Sequence, residues 1–319
     1  MGIDTVQEQT YRSLYKSELL AIAAKIAERV DKDYASKDWN QTPVLCRYFL
    51  ITIFEIIRAC FGCLEIRNRV AQEILSRSIV EYNIDLHYLA LKDDIKLNRR
   101  FVNYYKLWLY WHRDKLKYHR EYIPWSEEQY QAYVLDEFQD EMKNMKPKQK
   151  TKKQPKEKPE KPLISVLGLD QHIKDKYMKS WCGMNFPQRI EEIETLISKH
   201  YPERLQYNDT PKLRGYLLYF YSYSNYTHPS PFAVLPNLAP KPSDFDLHHG
   251  PTDDQLQTCE EFLIQSLYYA VQAFADSLTS DRSSLLMGHM QELVSKSPNT
   301  NRYFSDGANR AISPRNEQH

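Results

Sequence analysis

Glycine is scarce in this chain, which has eight glycines among 319 residues. Ordinary usage of about 7% would give more than twice as many. Phosphate-cradling loops, tight hairpins and dinucleotide-binding turns all use glycine, because it reaches backbone conformations that other residues avoid. The shortage therefore disfavours α/β nucleotide-binding folds.

Cysteine is sparse too, and the five cysteines show no disulfide framework. Scattered cysteines in an odd number predict a reducing compartment. The pair in C-F-G-C (Cys60 to Cys63) lies in an apolar helical segment without a second pair at zinc-ligand spacing, so we interpret both as packing residues.

The run D-F-D-L-H-H (244–249) could ligate a metal, but a solvated polar turn explains it as well. We expect no metal and no cofactor.

Long apolar runs are missing as well. The most apolar stretch, from Tyr48 to Phe54, is too short to span a membrane and is bracketed by charged residues. No basic-then-apolar leader opens the chain. We therefore expect a cytoplasmic protein that makes no membrane contact.

What the sequence does contain is a 3.6-residue apolar period along nearly every segment, without sustained strand alternation. This period predicts an all-α fold, built as a multi-helix bundle. The predicted helices are residues 5–36, 43–62, 65–92, 96–121, 126–143, 168–179, 187–199, 210–227 and 253–279.

A lysine- and proline-rich segment interrupts this pattern at about residues 144–162. Its part from 146 to 162 holds eight lysines, four prolines and no other apolar side chain. Such a segment cannot bury surface, so we predict a disordered loop that either separates two domains or interrupts one. The tail at residues 296–319 also lacks periodicity, which predicts a loose C-terminus.

The predicted helix 65–92 carries two apolar stripes, which predicts a mostly buried helix. Arg77 and Glu81 interrupt one of these stripes, one helical turn apart. One interpretation is a structural ion pair that fixes the helix register. The other is an arginine held by a carboxylate so that its guanidinium group can meet a phosphate.

The run S-N-Y-T-H-P-S (Ser224 to Ser230) closes a tyrosine-rich predicted helix. Pro229 cannot continue a helix, so His228 stands in the last turn. Ser224 lies one turn earlier on the same stripe. Attraction to the C-terminal end of the helix dipole explains a lone histidine there. A histidine that titrates near neutrality can also serve as a general acid or base.

Aromatic and basic residues alternate between Tyr104 and Trp125. Basic groups neutralise phosphates and aromatic rings stack on unpaired bases, so the stretch could bind single-stranded RNA. We favour the alternative, an amphipathic helix whose rings belong to the core. Within it, Arg113 and His119 fit the arginine–polar–x4–histidine pattern of HEPN ribonucleases.

Three of these motifs together resemble a family of uncharacterised, mostly bacterial helical domains. The family pattern is R-x-x-x-E, then W-x-G, then S-x-Y-V-H-P-S. This chain has R-S-I-V-E (77–81), W-C-G (181–183) and S-N-Y-T-H-P-S, with Thr227 in place of the usual valine. The resemblance covers about residues 43–235. The family is similar to HEPN and abortive-infection helical domains, many of which are metal-independent ribonucleases or defence toxins.

The resemblance has consequences for domain organisation and for the site. It places the Lys/Pro-rich loop inside one domain, so we predict a single helical domain over residues 1–295. It also implies that facing helices bring a catalytic set together, and we predict a separate substrate-binding set. The catalytic set is Arg77, Glu81, Ser224 and His228, and the substrate-binding set is Tyr221, Tyr223, Arg113 and His119.

Two functions are compatible with these residues. The first is a metal-independent ribonuclease that acts on RNA as a stress or phage-defence effector. The alternative is a non-catalytic interaction or regulatory module that binds a partner protein of the same defence or toxin system. Either function is compatible with assembly into a homo-oligomer.

Overall fold

The computed structural model describes residues 3–33, 38, 41–66, 68–116, 121, 123–145, 161–202 and 253–300. No β-strand occurs within these ranges, which confirms the all-α prediction. The helices are α1 (Ile3–Asp33), α2 (Thr42–Glu65), α3 (Arg69–Lys92), α4 (Ile95–Trp111), α5 (Glu127–Glu137), α6 (Gln139–Lys143), α7 (Leu163–Leu167), α8 (Leu169–Tyr177), α9 (Phe186–His200), α10 (Asp253–Asp276) and α11 (Ser280–Ser295).

Backbone contacts divide the chain into two compact units. Unit 1 comprises Met1–Asp38, Thr42–Asp93 and Ile190–His319, and unit 2 comprises Trp39–Gln41 and Asp94–Arg189. The predicted extent of one domain over residues 1–295 stays a prediction. Residues 146–160 of the Lys/Pro-rich loop and the tail from residue 301 lie outside the described residues.

Unit 1 is built on α3, which packs against α2 and α10, while α1 and α11 complete the bundle. Its core is mostly aliphatic, with Ile53, Ile79 and Leu263 all without exposed surface, and it includes buried rings such as Phe274. Helix α11 was not predicted, although its buried side chains recur at helical spacing. They are Leu286, Met290 and Leu293.

Unit 2 has an aromatic core formed mainly by α4, α5 and α8. Its buried members are Leu107, Tyr110, Trp111, Tyr130, Val134, Phe138, Ile164, Ile173 and Tyr177. Helix α5 begins at a capping box, in which Ser126 and Gln129 bond to each other's backbone N–H groups. The predicted helix 126–143 is broken at Phe138, whose ring is fully buried and whose backbone leaves the helical region.

Helix α4 ends at Trp111, ten residues short of the predicted end at residue 121. Its apolar period stops there, and residues 112–115 are all polar or charged. These residues instead form turns, in which the Lys115 N–H group donates to the His112 carbonyl oxygen at 2.8 Å. Without an apolar face, another helical turn would gain no burial. In the part of the chain described above, no helix combines the length and apolarity needed to cross a bilayer.

Candidate functional site

Arg77 and Glu81 form an ion pair across one turn of α3. Nε of Arg77 lies 3.1 Å from Oε1 of Glu81 and donates a hydrogen bond to it. The exposed fractions of the Arg77 and Glu81 side chains are 21% and 41%. A carboxylate bound at Nε fixes the plane of a guanidinium group, so Glu81 orients Arg77 at the margin of the solvent.

The stripe that this pair interrupts is exposed in the first half of α3 and buried in the second, where Ile84 and Tyr88 are 0% and 6% exposed. Val70 and Ile74, on the same face as Arg77, are 48% and 39% exposed. The buried side of α3 also carries polar groups among its apolar ones: Nδ2 of Asn83 donates to the carbonyl oxygen of Ser266 on α10 at 3.3 Å.

The exposure of the pair predicts a small effect of Arg77→Ala on stability. Part-exposed i,i+4 pairs contribute little, so we expect the free energy of unfolding to fall by less than about 1 kcal/mol. Arg29→Ala is the matched control, since it removes the i,i+4 pair with Asp33 on α1. Urea titration followed by circular dichroism measures the free energy of unfolding of both variants. A loss of more than about 3 kcal/mol for Arg77→Ala would instead make the pair a register-fixing element.

The remaining predicted catalytic residues, Ser224 and His228, lie outside the described residues, and so do Tyr221, Tyr223 and His119. The D-F-D-L-H-H run is outside as well. Their roles stay predictions. Within the described ranges, no three His, Cys, Asp or Glu side chains are placed to hold a metal ion.

Arg113 is tied to the core of unit 2. Its Nη1 lies 2.7 Å from Oε2 of Glu127, and its guanidinium carbon lies 4.4 Å from the centroid of the Tyr110 ring. A cation stacked on a ring and paired with a carboxylate connects the end of α4 to the start of α5. A phosphate at Arg113 would compete with Glu127, so the predicted substrate contact of Arg113 stays a prediction.

Among the aromatic residues that the structure describes between 104 and 125, some belong to the core and others are exposed. Tyr110 and Trp111 are buried: the Tyr110 ring stacks on Tyr130 at 3.8 Å, and Nε1 of Trp111 donates to the Tyr130 hydroxyl at 2.7 Å. For these two residues the favoured core interpretation is confirmed. Tyr105, by contrast, is 67% exposed, and Trp108 is partly exposed.

The W-C-G motif is a packing element of unit 2. The Trp181 ring meets Phe101 edge-on at 5.1 Å. Gly183 has a φ of +75°, and a Cβ atom there would come within 2.8 Å of the Tyr177 ring. Both the backbone conformation and the close approach of the ring therefore require glycine.

Unit 2 contains an ion-pair network around a buried carboxylate, Glu137, which the sequence did not predict. The Glu137 side chain has no exposed surface; its Oε2 accepts from Nε of Arg99 at 2.7 Å, and its Oε1 lies 3.5 Å from Nε of Arg100. The hydrogen bond to Glu137 is the main cause that raises the pKa of Arg99. The sequence contains a sign of this burial. Glu137 stands seven residues after Tyr130 and three after Val134, so it continues their apolar stripe.

A cavity of about 350 Å³ opens beside this network. Its charged lining consists of four carboxylates, from Asp94, Glu137, Asp140 and Glu141, and two basic groups, from Lys96 and Arg100. A net negative lining repels anions. We therefore do not expect a phosphate to bind here, although two adjacent arginines stand nearby.

Cys60 has the properties expected of a packing residue. It is fully buried on α2, and this burial raises the pKa of its thiol far above the ordinary value. A thiol that stays protonated is a poor nucleophile and a poor metal ligand. The C-F-G-C pair therefore carries no part of the candidate site.

No protein-family model, curated protein or solved structure matches this chain. The candidate site therefore rests on the described side chains themselves. Their distinguishing feature is an arginine oriented by a carboxylate on the outer face of α3.

Proposed function

We propose that this chain is an RNA-binding helical domain that cleaves RNA without a metal ion, as HEPN-like effectors of stress or phage defence do. The observation that carries the proposal is the ion pair on α3, in which Glu81 holds a partly exposed Arg77. A buried pair would have favoured a structural role. An oriented guanidinium group at the solvent margin suits recognition of a phosphodiester.

The proposed reaction divides between two side chains. The 2′-oxygen of RNA forms a bond to phosphorus while the bond to the 5′-oxygen breaks. His228 removes the 2′-hydroxyl proton or supplies the proton that the leaving 5′-oxygen takes up. Arg77 donates hydrogen bonds to the phosphate as negative charge develops on its oxygens. Water handles the other proton: it protonates the leaving oxygen when His228 is the base, and it accepts the 2′-hydroxyl proton when His228 is the acid. Ser224 orients the imidazole.

Incubation of purified protein with total RNA in EDTA tests this function. The wild type is expected to cleave RNA under these conditions, because no step requires a divalent ion. His228→Ala, purified in parallel, is expected to leave the RNA intact. Equal cleavage by both proteins would reveal a contaminating nuclease, and intact RNA with the wild type would contradict the proposal.

A second candidate function is a non-catalytic interaction module. The observation that favours it is the exposure of Val70 and Ile74 on the face that carries Arg77 and Glu81. Exposed apolar side chains beside a charged pair suit a partner protein of the same defence or toxin system, or a second copy of the chain. The incubation above separates the two functions, since an interaction module leaves RNA intact. We place either function in the cytoplasm.

A further inference from the structure

One side of α4 carries an aromatic stripe that lies largely outside the buried cluster of unit 2. Phe101, Tyr105, Trp108 and His112 follow each other at i, i+4, i+7 and i+11, so they lie on one face of the helix. Tyr105 is 67% exposed, and the other three are partly exposed. The core contacts of α4 come from other positions, including Leu107 and Tyr110.

Three of the four rings are held in place by described contacts. Phe101 packs edge-on against Trp181 at 5.1 Å. The rings of Trp108 and His112 lie 4.2 Å apart at an angle of 32°, and Nδ1 of His112 is 2.8 Å from the carbonyl oxygen of Trp108. Tyr105 stands between these two anchored ends. The stripe is therefore a preorganised surface with its most exposed ring at the centre.

Two exposed lysines and one exposed aspartate lie near the ends of this stripe. Lys115 lies in the turn after His112, and Lys179 follows Met178, whose carbonyl oxygen accepts a hydrogen bond from Tyr104 at 3.0 Å. Both lysines are exposed, and neither forms an ion pair with a residue that the structure describes. Asp114 is the acidic side chain in the same turn as Lys115. Exposed rings with ammonium groups at both ends match a strand that alternates bases with phosphates.

We propose that single-stranded RNA binds along this face of α4, with unpaired bases stacked on Tyr105 and Trp108 and phosphates near Lys115 and Lys179. The inference rests on the proposed function for its substrate class, and it assigns residues in unit 2 that the catalytic hypothesis does not use. Base-paired RNA does not fit, because its bases already stack on each other and show no ring face to a protein. The surface thus selects unpaired segments.

Fluorescence anisotropy with a labelled single-stranded RNA of about 12 nucleotides tests the inference, since known single-strand sites cover roughly 4–16 nucleotides. All proteins carry His228→Ala so that the RNA survives. Tyr105→Ala is expected to weaken binding at least about fivefold, the lower limit for one stacked base. Tyr105→Trp is expected to bind as well as the parent, because it keeps a ring at that position. Val102→Ala is the matched control: Val102 is 40% exposed on the same helix, outside the stripe, and its truncation should leave affinity unchanged.

Three outcomes would overturn the inference. They are equal affinity for the Tyr105→Ala and Val102→Ala proteins, failure of Tyr105→Trp to restore binding, and tighter binding of an RNA duplex of the same sequence. The cleavage assay is independent of this result. If RNA is cleaved but Tyr105→Ala binds normally, the stacking surface fails and the proposed function stands. If Tyr105→Ala weakens binding while no protein cleaves RNA, the surface stands and the catalytic proposal fails.

Discussion

Replacing Glu137 with alanine is expected to lower the free energy of unfolding of unit 2 by about 3 kcal/mol, because it removes the fully buried carboxylate that pairs with the largely buried Arg100. The Arg100 side chain is only 14% exposed and lies over the rings of Phe138 and Tyr177, 4.9 Å from each. It keeps a weaker partner in Glu141, at 3.6 Å, so we expect the lower end of the range for broken buried pairs.

The neighbouring Asp136 supplies the control for this prediction. It pairs with the same arginine, Arg99, at 2.8 Å, but its side chain is 63% exposed. Asp136→Ala should therefore cost no more than about 1 kcal/mol. Urea titration followed by tryptophan fluorescence measures both variants, and the described tryptophans, Trp108, Trp111, Trp125 and Trp181, all belong to unit 2. Equal losses for the two variants would show that burial does not decide the effect.

Helix type and approximate position could be predicted from the sequence because the apolar period of most helices matches their buried face. The predicted helices at 43–62, 168–179 and 187–199 differ by three residues or fewer at each end from α2, α8 and α9. Exceptions arise where tertiary packing, rather than the local apolar period, determines where a helix ends. The fully buried ring of Phe138 lies at the break between α5 and α6, and no period in the sequence marks that break.

The burial of individual residues on α3 could not be predicted in the same way. Periodicity assigns apolar residues to the interior, and it therefore placed Val70 and Ile74 inside. Asn83, which is fully buried, bonds instead to the backbone of Ser266, a residue 183 positions away along the chain. Only the tertiary structure reveals that partner, because nothing in the local sequence of α3 predicts a carbonyl acceptor on α10.

The candidate site was accessible from the sequence only in part. The spacing of Arg77 and Glu81 predicted an ion pair, and the pair is present at 3.1 Å. Its position at the solvent margin was not predicted, and it favours the second of the two interpretations, in which a phosphate can approach the arginine. Glu137 also interrupts an apolar stripe, on α5. There the charged side chain is fully buried and takes part in an ion-pair network.

Loss of the His228 imidazole is expected to slow RNA cleavage by about 10²–10⁴-fold, the usual contribution of general acid–base catalysis. Arg77→Ala is expected to slow it by about 10²–10³-fold, as removal of one charge-stabilising donor does. Arg77→Ala should remain folded, because the pair it breaks is partly exposed. Arg29→Ala, which breaks an equivalent pair on α1, should cleave at the wild-type rate.

The cleavage rate of the Arg77→Ala/His228→Ala double variant, measured on a defined RNA oligonucleotide in EDTA beside both single variants, tests the central claim most directly. Residues that act on one phosphate lose their effects together, so the double variant should be no more than about tenfold slower than His228→Ala. If the two substitutions acted independently, their rate losses would multiply, and the double variant would cleave about 10⁴-fold or more slowly than the wild type. A multiplied loss, or a wild type that does not cleave the oligonucleotide, would contradict the proposal that Arg77 and His228 form one catalytic site.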